Sequence, residues 1–197
     1  MIKAIFFDIG NVLITDGYTS GIKKYEKINS IPDGLLYKAM HDYPFWKEFS
    51  LGLITENKYF DLVKNNFNGE LNIDILRKTI MDEFIPNCEL ADYAKTLKNS
   101  FTAGIISNNT KEWFEYLMEK YGWNDIFTIK AVSGYVHFRK PDKRIFQYAL
   151  EQAGIKGEEA VYIDDRDDRI GGAIESGFNI IIYKNLKQLK LELKKYV

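Results

Sequence analysis

Five short apolar runs, each rich in β-branched and aromatic residues, set the tightest limit on what this chain folds into. They are "IKAIFF" at 2–7, "FTAGIIS" at 101–107, "TIKAVS" at 128–133, "AVYID" at 160–164 and "FNIIIY" at 178–183. Runs that stay apolar on both sides of the pleat read as strands buried on both faces. The intervening segments have helical spacing: Leu90, Tyr93, Ala94 and Leu97 share one face, as do Trp113, Phe114, Leu117 and Met118, and Ile145, Phe146, Ala149 and Leu150. Strand and helix alternate from residue 101 onward, which calls for a parallel sheet covered by helices. The expected fold is a doubly wound α/β core.

Residues 15–86 break that rhythm. They read as helices around "GIKKYEKIN", "PDGLLYKAMHDY" with Pro32 as helix starter, "TENKYFDLVKNNF" with Thr55 as N-cap, and "IDILRKTIMDEF". The expected division is an α/β core at 1–14 and 87–197 with a helical cap at 15–86, seated at the carboxyl edge of the sheet, where open α/β sheets bind ligands. The tail "NLKQLKLELKKYV" reads as a closing amphipathic helix.

Composition removes several function classes. A net charge of -1 over 197 residues gives no field to gather nucleic acid. No apolar run approaches the ~20 residues needed to cross a bilayer. Cys88, the only cysteine, excludes an internal disulfide framework and reads as a small buried side chain in a reducing, cytoplasmic protein. The expected partner is a small molecule; the sequence does not specify an oligomeric state.

The polar residues at the strand ends carry the chemistry. "IFFDIGNVL" is an apolar run broken by one carboxylate, Asp8, with Gly10 and Asn11 close behind. Ser107-Asn108 follows "GII", Lys140-Pro141 stands in "HFRKPD", and Asp164-Asp165 follows "VYI". In a parallel sheet such ends lie side by side, and carboxylates, a hydroxyl, a lysine and free amides suit a phosphate with a divalent metal. Each also has a plainer use: Asp8 in a turn, Ser107-Asn108 as caps for a helix near Lys111, Lys140 as a loop lysine, "DDRDDR" as a solvated turn. His41 and His137 read as surface or packing histidines, and Tyr43, Phe45, Trp46 and Phe49 as cap core, with room for one of them to line a pocket.

"FFDIGNVL", "GIISNNT", "RKPD" and "VYIDDRDD" resemble, in order and spacing, the motifs of the haloacid dehalogenase superfamily. The stretch "EFSLGLITENKYF" is similar to one in its small sugar phosphatases, including the bacterial α-glucose-1-phosphate phosphatases. The resemblance implies a Mg²⁺-dependent phosphatase of a small phosphorylated metabolite, working through an aspartyl phosphate. Asp8 would be the nucleophile, and Asp8, the Gly10 carbonyl, Asp164 and Asp165 would serve Mg²⁺, with Asp164 acting directly or through a water. Ser107, the Asn108 amide and Lys140 would hold the phosphoryl group, Lys140 also steadying the nucleophile.

Two positions depart from that pattern. Most of these phosphatases carry a second Asp, a general acid and base, where this chain has Gly10; such catalysis contributes typically ~10² to 10⁴ in rate. Gly10 would instead let the backbone turn tightly toward the metal. The proton would be dispensable for an acidic leaving group, or would come from His41, Glu48, a bound water or the substrate. Arg169 stands where similar sequences have Asn or Asp, at the outer metal shell. Other readings are a metal-independent haloacid dehalogenase, disfavoured by the adjacent acids Asp164-Asp165, and a catalytically weak binding or regulatory protein. A phospho-accepting receiver domain would carry its acid pair at the first strand, where this chain has one acid.

Overall fold

The computed structural model describes residues 1–196; Val197, the last residue of the expected tail helix, lies outside them. Five parallel strands, β1 (Ala4–Phe7), β2 (Thr102–Ser107), β3 (Ile129–Val132), β4 (Ala160–Asp164) and β5 (Asn179–Ile182), form one sheet in the order β3-β2-β1-β4-β5. β1 is central, in register Phe7 to Ile105 on one side and Phe7 to Ile163 on the other. Its side chains feed two cores. Ile5 and Phe7 join one that extends into the helices of 15–86, while Ala4 and Phe6 pack on the opposite face with Ile145, Phe146 and Phe178. A strand buried on both faces explains a run with no polar alternation.

The helices between β1 and β2 are α1 (Gly17–Ile28), α2 (Leu35–His41), α3 (Pro44–Ser50), α4 (Glu56–Asn66), α5 (Ile73–Asp82) and α6 (Cys88–Leu97). After β2 come α7 (Lys111–Lys120), α8 (Ser133–Val136) directly behind β3, α9 (Lys143–Ala153), α10 (Gly171–Glu175) and α11 (Leu186–Leu193). Thr55 caps α4 by accepting from the Lys58 amide. The chain leaves the sheet and returns through one crossing, where Ile14 bridges Pro86, the Thr15 amide donates to Ile85 and the Asn87 amide donates to Leu13.

Some local expectations fail for identifiable reasons. Pro32 does not start a helix: its carbonyl accepts from Leu35 in a turn, Gly34 is left-handed (φ 79°), and α2 begins at Leu35. The α2 N-terminus is satisfied from a distance. The buried Glu26 carboxylate accepts from the amides of Gly34 (3.0 Å), Leu36 (2.7 Å) and Tyr37 (3.1 Å), a long-range cap placing an anion at a helix start. Cys88 is exposed in the first turn of α6 rather than buried, because that face of the helix points away from Leu90 and Ala94. Of the cap aromatics Phe49 is buried, Phe45 and Trp46 are half-buried and Tyr43 is exposed.

Glu26→Ala leaves three amides without an acceptor and is expected to lower stability by about 3 kcal/mol. Urea unfolding checks this: the midpoint falls while the slope stays that of the wild type.

Candidate active site

Asp8 is the first residue past β1, its amide donating to the Ile163 carbonyl (2.8 Å), so the central strand of the sheet aims its side chain. The turn behind it closes on one acceptor: the Ile9 carbonyl takes the amides of Val12, Leu13 and Ile14. Its left-handed residue is Asn11 (φ 54°), not Gly10. A Cβ added at Gly10 meets nothing within 4 Å, so the backbone does not require glycine there. The Gly10 carbonyl takes no backbone hydrogen bond among the described residues and remains free for a ligand.

Lys140 is the centre of the cluster. Its side chain is fully buried, and its three ammonium protons meet three oxygens: Asp8 Oδ1 at 2.9 Å, Asp164 Oδ2 at 2.7 Å and the Tyr162 hydroxyl at 2.7 Å. Tyr162 in turn donates to Asp164. Lys140 is not at a strand end as expected; it lies beyond α8, in the loop entering α9. Asn108 explains its placement. The Asn108 side chain accepts from the Lys140 amide (2.7 Å) and donates to the Lys140 carbonyl (3.1 Å), clamping that loop to the end of β2. Thr110, not Ser107 or Asn108, caps α7.

Asp8, Asp164 and Asp165 each offer a carboxylate oxygen, and the three lie within 4.8 Å of one another. Burial pushes the Asp8 carboxyl up, and the Asp164 charge adds to this, against the pull of Lys140 and Ser107. Asp164 is also penalised by burial, but Lys140, the Tyr162 hydroxyl and the Arg166 amide together outweigh this and hold it below the usual carboxylate range. Asp165 is raised by burial and by the charges of Asp8 and Asp164. No Lys or Arg nitrogen lies within 4 Å of Asp165 among the described residues. A half-buried carboxylate beside two others, without a cation, is the donor set that a hard divalent ion satisfies.

Above the cluster lies a cavity of about 310 Å³ whose lining includes Asp8, Gly10, Ser107, Asn108 and Asp165 from the core. The helices of 15–86 supply Tyr18 stacked on Trp46 (centroids 4.1 Å apart) and Tyr37 stacked on His41 (5.1 Å). Glu48 does not line it; His41 does. Arg139 and Arg169 close another side. The roof is tied down at several points. Ser133 Oγ accepts from the Asn109 amide and donates to the Ser50 carbonyl (2.6 Å), Arg139 donates to Ser50 Oγ (2.7 Å), and His137 Nδ1 donates to the Leu51 carbonyl (2.6 Å). Beside them Gly52 is left-handed (φ 68°) and packs so closely that a Cβ would collide with the Gly134 carbonyl. Sequence reasoning missed Tyr162, the Asn108 clamp and Ser133; only the two-residue spacing of Tyr162 from Asp164, which puts both on one face of β4, signalled the first.

Residues 2–177 match the model of a family described as haloacid dehalogenase-like hydrolase. The chain belongs to this family. It is 28% identical over 185 residues to a pyrimidine 5'-nucleotidase, YjjG, of Escherichia coli K12, covering 88% of this chain and 82% of that one. It is also 28% identical over 213 residues to a glyceraldehyde 3-phosphate phosphatase of Pyrococcus furiosus, covering 99% and 87%. Against a drimenol cyclase of Aspergillus calidoustus the identity is 24% over 98% of this chain, but only 36% of the cyclase is spanned. The fold superposes with a TM-score of 0.77 on a family enzyme of Bacteroides thetaiotaomicron solved with magnesium and inorganic phosphate, at 20% identity and over 96% and 99% of the two chains. The protein is thus a hydrolase of the haloacid dehalogenase-like family with an α/β parallel-sheet core. No helix among the described residues is long and apolar enough to cross a membrane.

Lys140→Met leaves Asp8 and Asp164 buried without their shared cation and is expected to cost about 3–5 kcal/mol at pH 7. In the variant both folded-state carboxyl pKa values lie above their unfolded values, so the stability they contribute is present at low pH and lost as pH rises. Unfolding measured from pH 4 to pH 7 should therefore show the deficit of the variant growing with pH; a deficit independent of pH would contradict the assignment.

Proposed function

We propose that this hydrolase is a Mg²⁺-dependent phosphatase of a small phosphorylated metabolite, a sugar phosphate being the favoured class, with Asp8 as nucleophile. The observation that carries the reading is Asp8 itself: a rigidly held carboxylate, paired with buried Lys140 at 2.9 Å and grouped with Asp164 and Asp165 at the floor of a cavity. The phosphatase and nucleotidase relatives support the reaction class. The division into a core (1–14, 87–197) and a cap (15–86) belongs to the same proposal, the Ile14–Pro86 crossing being its neck.

Asp8 attacks phosphorus, the bond from phosphorus to the leaving oxygen breaks, and water later cleaves the aspartyl phosphate to return the carboxylate and inorganic phosphate. Asp8, Asp165 and the Gly10 carbonyl would hold Mg²⁺. Asp164 would do so more weakly, because its oxygens already accept from Lys140, Tyr162 and the Arg166 amide (2.9 Å). The ion supplies positive charge that offsets repulsion between these acids and the phosphoryl group. Ser107 and the Asn108 amide donate to the phosphoryl oxygens, while Lys140 favours the ionised form of Asp8 and orients it. A metal-independent dehalogenase reading gains nothing from Asp165, whose charge would repel an anionic substrate.

Asp8→Asn is expected to abolish release of phosphate from every substrate while the folded spectrum and melting cooperativity persist. Mg²⁺ should raise the melting temperature of the wild type, and Asp165→Asn should shift the metal titration to markedly higher concentration. An unchanged titration removes Asp165 from the ligand set.

Gly10 supplies no proton, so negative charge builds on the departing oxygen. Aryl and anomeric phosphates should then be cleaved far faster than primary alkyl phosphates such as a sugar 6-phosphate. The open space at Gly10 and its ordinary φ mean that Gly10→Asp should fold, and it should accelerate poor leaving groups by up to ~10² to 10⁴. Equal wild-type rates across leaving groups, with chemistry rate-limiting, would point to His41, the cavity-lining candidate, as the donor.

A further inference from the structure

The cavity holds more positive charge than the phosphoryl seat uses. Lys140 is consumed by Asp8, Asp164 and Tyr162, and Arg166, at the mouth, pairs with Asp168 at 2.7 Å. Arg139 and Arg169 also line the cavity, yet among the described residues neither has a carboxylate within 4 Å. Among the described residues the one side-chain partner of Arg139 is the neutral hydroxyl of Ser50, at 2.7 Å. Burial, and then the neighbouring charge of Arg169, bring the Arg139 pKa below its ordinary value. Arg169 feels Asp168 only from beyond ion-pair distance, and two half-buried guanidinium groups lining one cavity without a contacting carboxylate are favoured by an anion arriving between them. Asp16, also in the cavity lining, has no Lys or Arg nitrogen within 4 Å among the described residues, its carboxylate accepting instead from the Thr19 amide at the start of α1.

We propose that Arg139 and Arg169 form a second anion subsite, so that the preferred substrate is a small phosphate monoester bearing another anionic group, a carboxylate or a second phosphate. This rests on the phosphatase reading above and adds the substrate class. Both arginines present planar donor forks suited to the paired oxygens of either group. Arg139 is anchored to the roof through Ser50 and Arg169 rises from the turn at Asp167–Arg169 just beyond the acidic pair, so the subsite lies between roof and floor rather than on Lys140. The stacked Tyr18 and Trp46 rings offer an apolar wall for the carbon skeleton. A volume of about 310 Å³ is at the small end of ligand sites (~300–1,000 Å³), which limits that skeleton to a compact metabolite.

The test uses non-hydrolysable ligands on the full chain with Mg²⁺: propylphosphonate, its analogue with a terminal carboxylate, and the matching bisphosphonate, compared by titration calorimetry in the wild type and in Arg169→Gln. At least one of the doubly anionic ligands should bind the wild type about tenfold or more tightly than propylphosphonate, and which of the two does so identifies the second group. Arg169→Gln should erase most of that difference, the doubly anionic ligands losing far more affinity than propylphosphonate. Arg139→Lys, which keeps the charge but loses the fork, should fall between. Equal affinity for all three ligands in the wild type, or an equal loss for all three in Arg169→Gln, would overturn the subsite even if the protein hydrolyses monoesters. Charge-selective binding that depends on Arg169, in a protein that hydrolyses no monoester, would uphold the subsite and refute the phosphatase reading.

Discussion

The site depends on one buried ammonium group. Lys140 gives its three protons to Asp8, Asp164 and Tyr162 in a place no solvent reaches, and a charge so buried persists only when its partners are complete. Those partners come from strands adjacent in the sheet, Asp8 from the end of β1 and the other two from β4, which pair in register from Ala4 with Ala160 to Phe7 with Ile163. Lys140 therefore fixes the relative position of the central strand end, the acidic pair and the loop entering α9. Asn108 adds β2 to the assembly by holding the Lys140 backbone from both sides.

The same arrangement leaves a charge imbalance that the proposed function would use. One lysine cannot neutralise three carboxylates, and the raised Asp8 and Asp165 carboxyls record the shortfall as burial and mutual repulsion. A hard divalent cation held by these acids would offset it, which favours the proposed metal-dependent phosphatase over a metal-free displacement. The helices of 15–86 then supply what the core lacks: an aromatic roof over the nucleophile, and through Ser50 an anchor for Arg139.

Much of this was legible in the sequence because it is carried by short-range pattern. Buried strands announce themselves as unbroken apolar runs, and Asp8, Ser107 and Asp164-Asp165 stand at or just past the ends of such runs, so topology alone gathers them. Lys140 was legible by motif but not by position, since it reaches the cluster through a loop held by the side chain of Asn108. The less legible features are long-range. Glu26 caps a helix from another element, Ser133 bridges to Ser50 83 residues away, and the exposed face of Cys88 follows from how α6 docks. The tight turn expected of Gly10 has its left-handed residue at the neighbouring Asn11 instead, and a Cβ at position 10 would meet nothing within 4 Å.

The central claim is that Asp8 becomes covalently phosphorylated. Rapid acid quench during turnover of an aryl phosphate with Mg²⁺, followed by peptide mass spectrometry, tests it most directly. The account predicts a phosphoryl adduct on the peptide that contains Asp8, absent without metal and absent in Asp8→Asn. Turnover at full rate with no adduct at Asp8, under conditions where an acid-stable acyl phosphate would survive the quench, would contradict it.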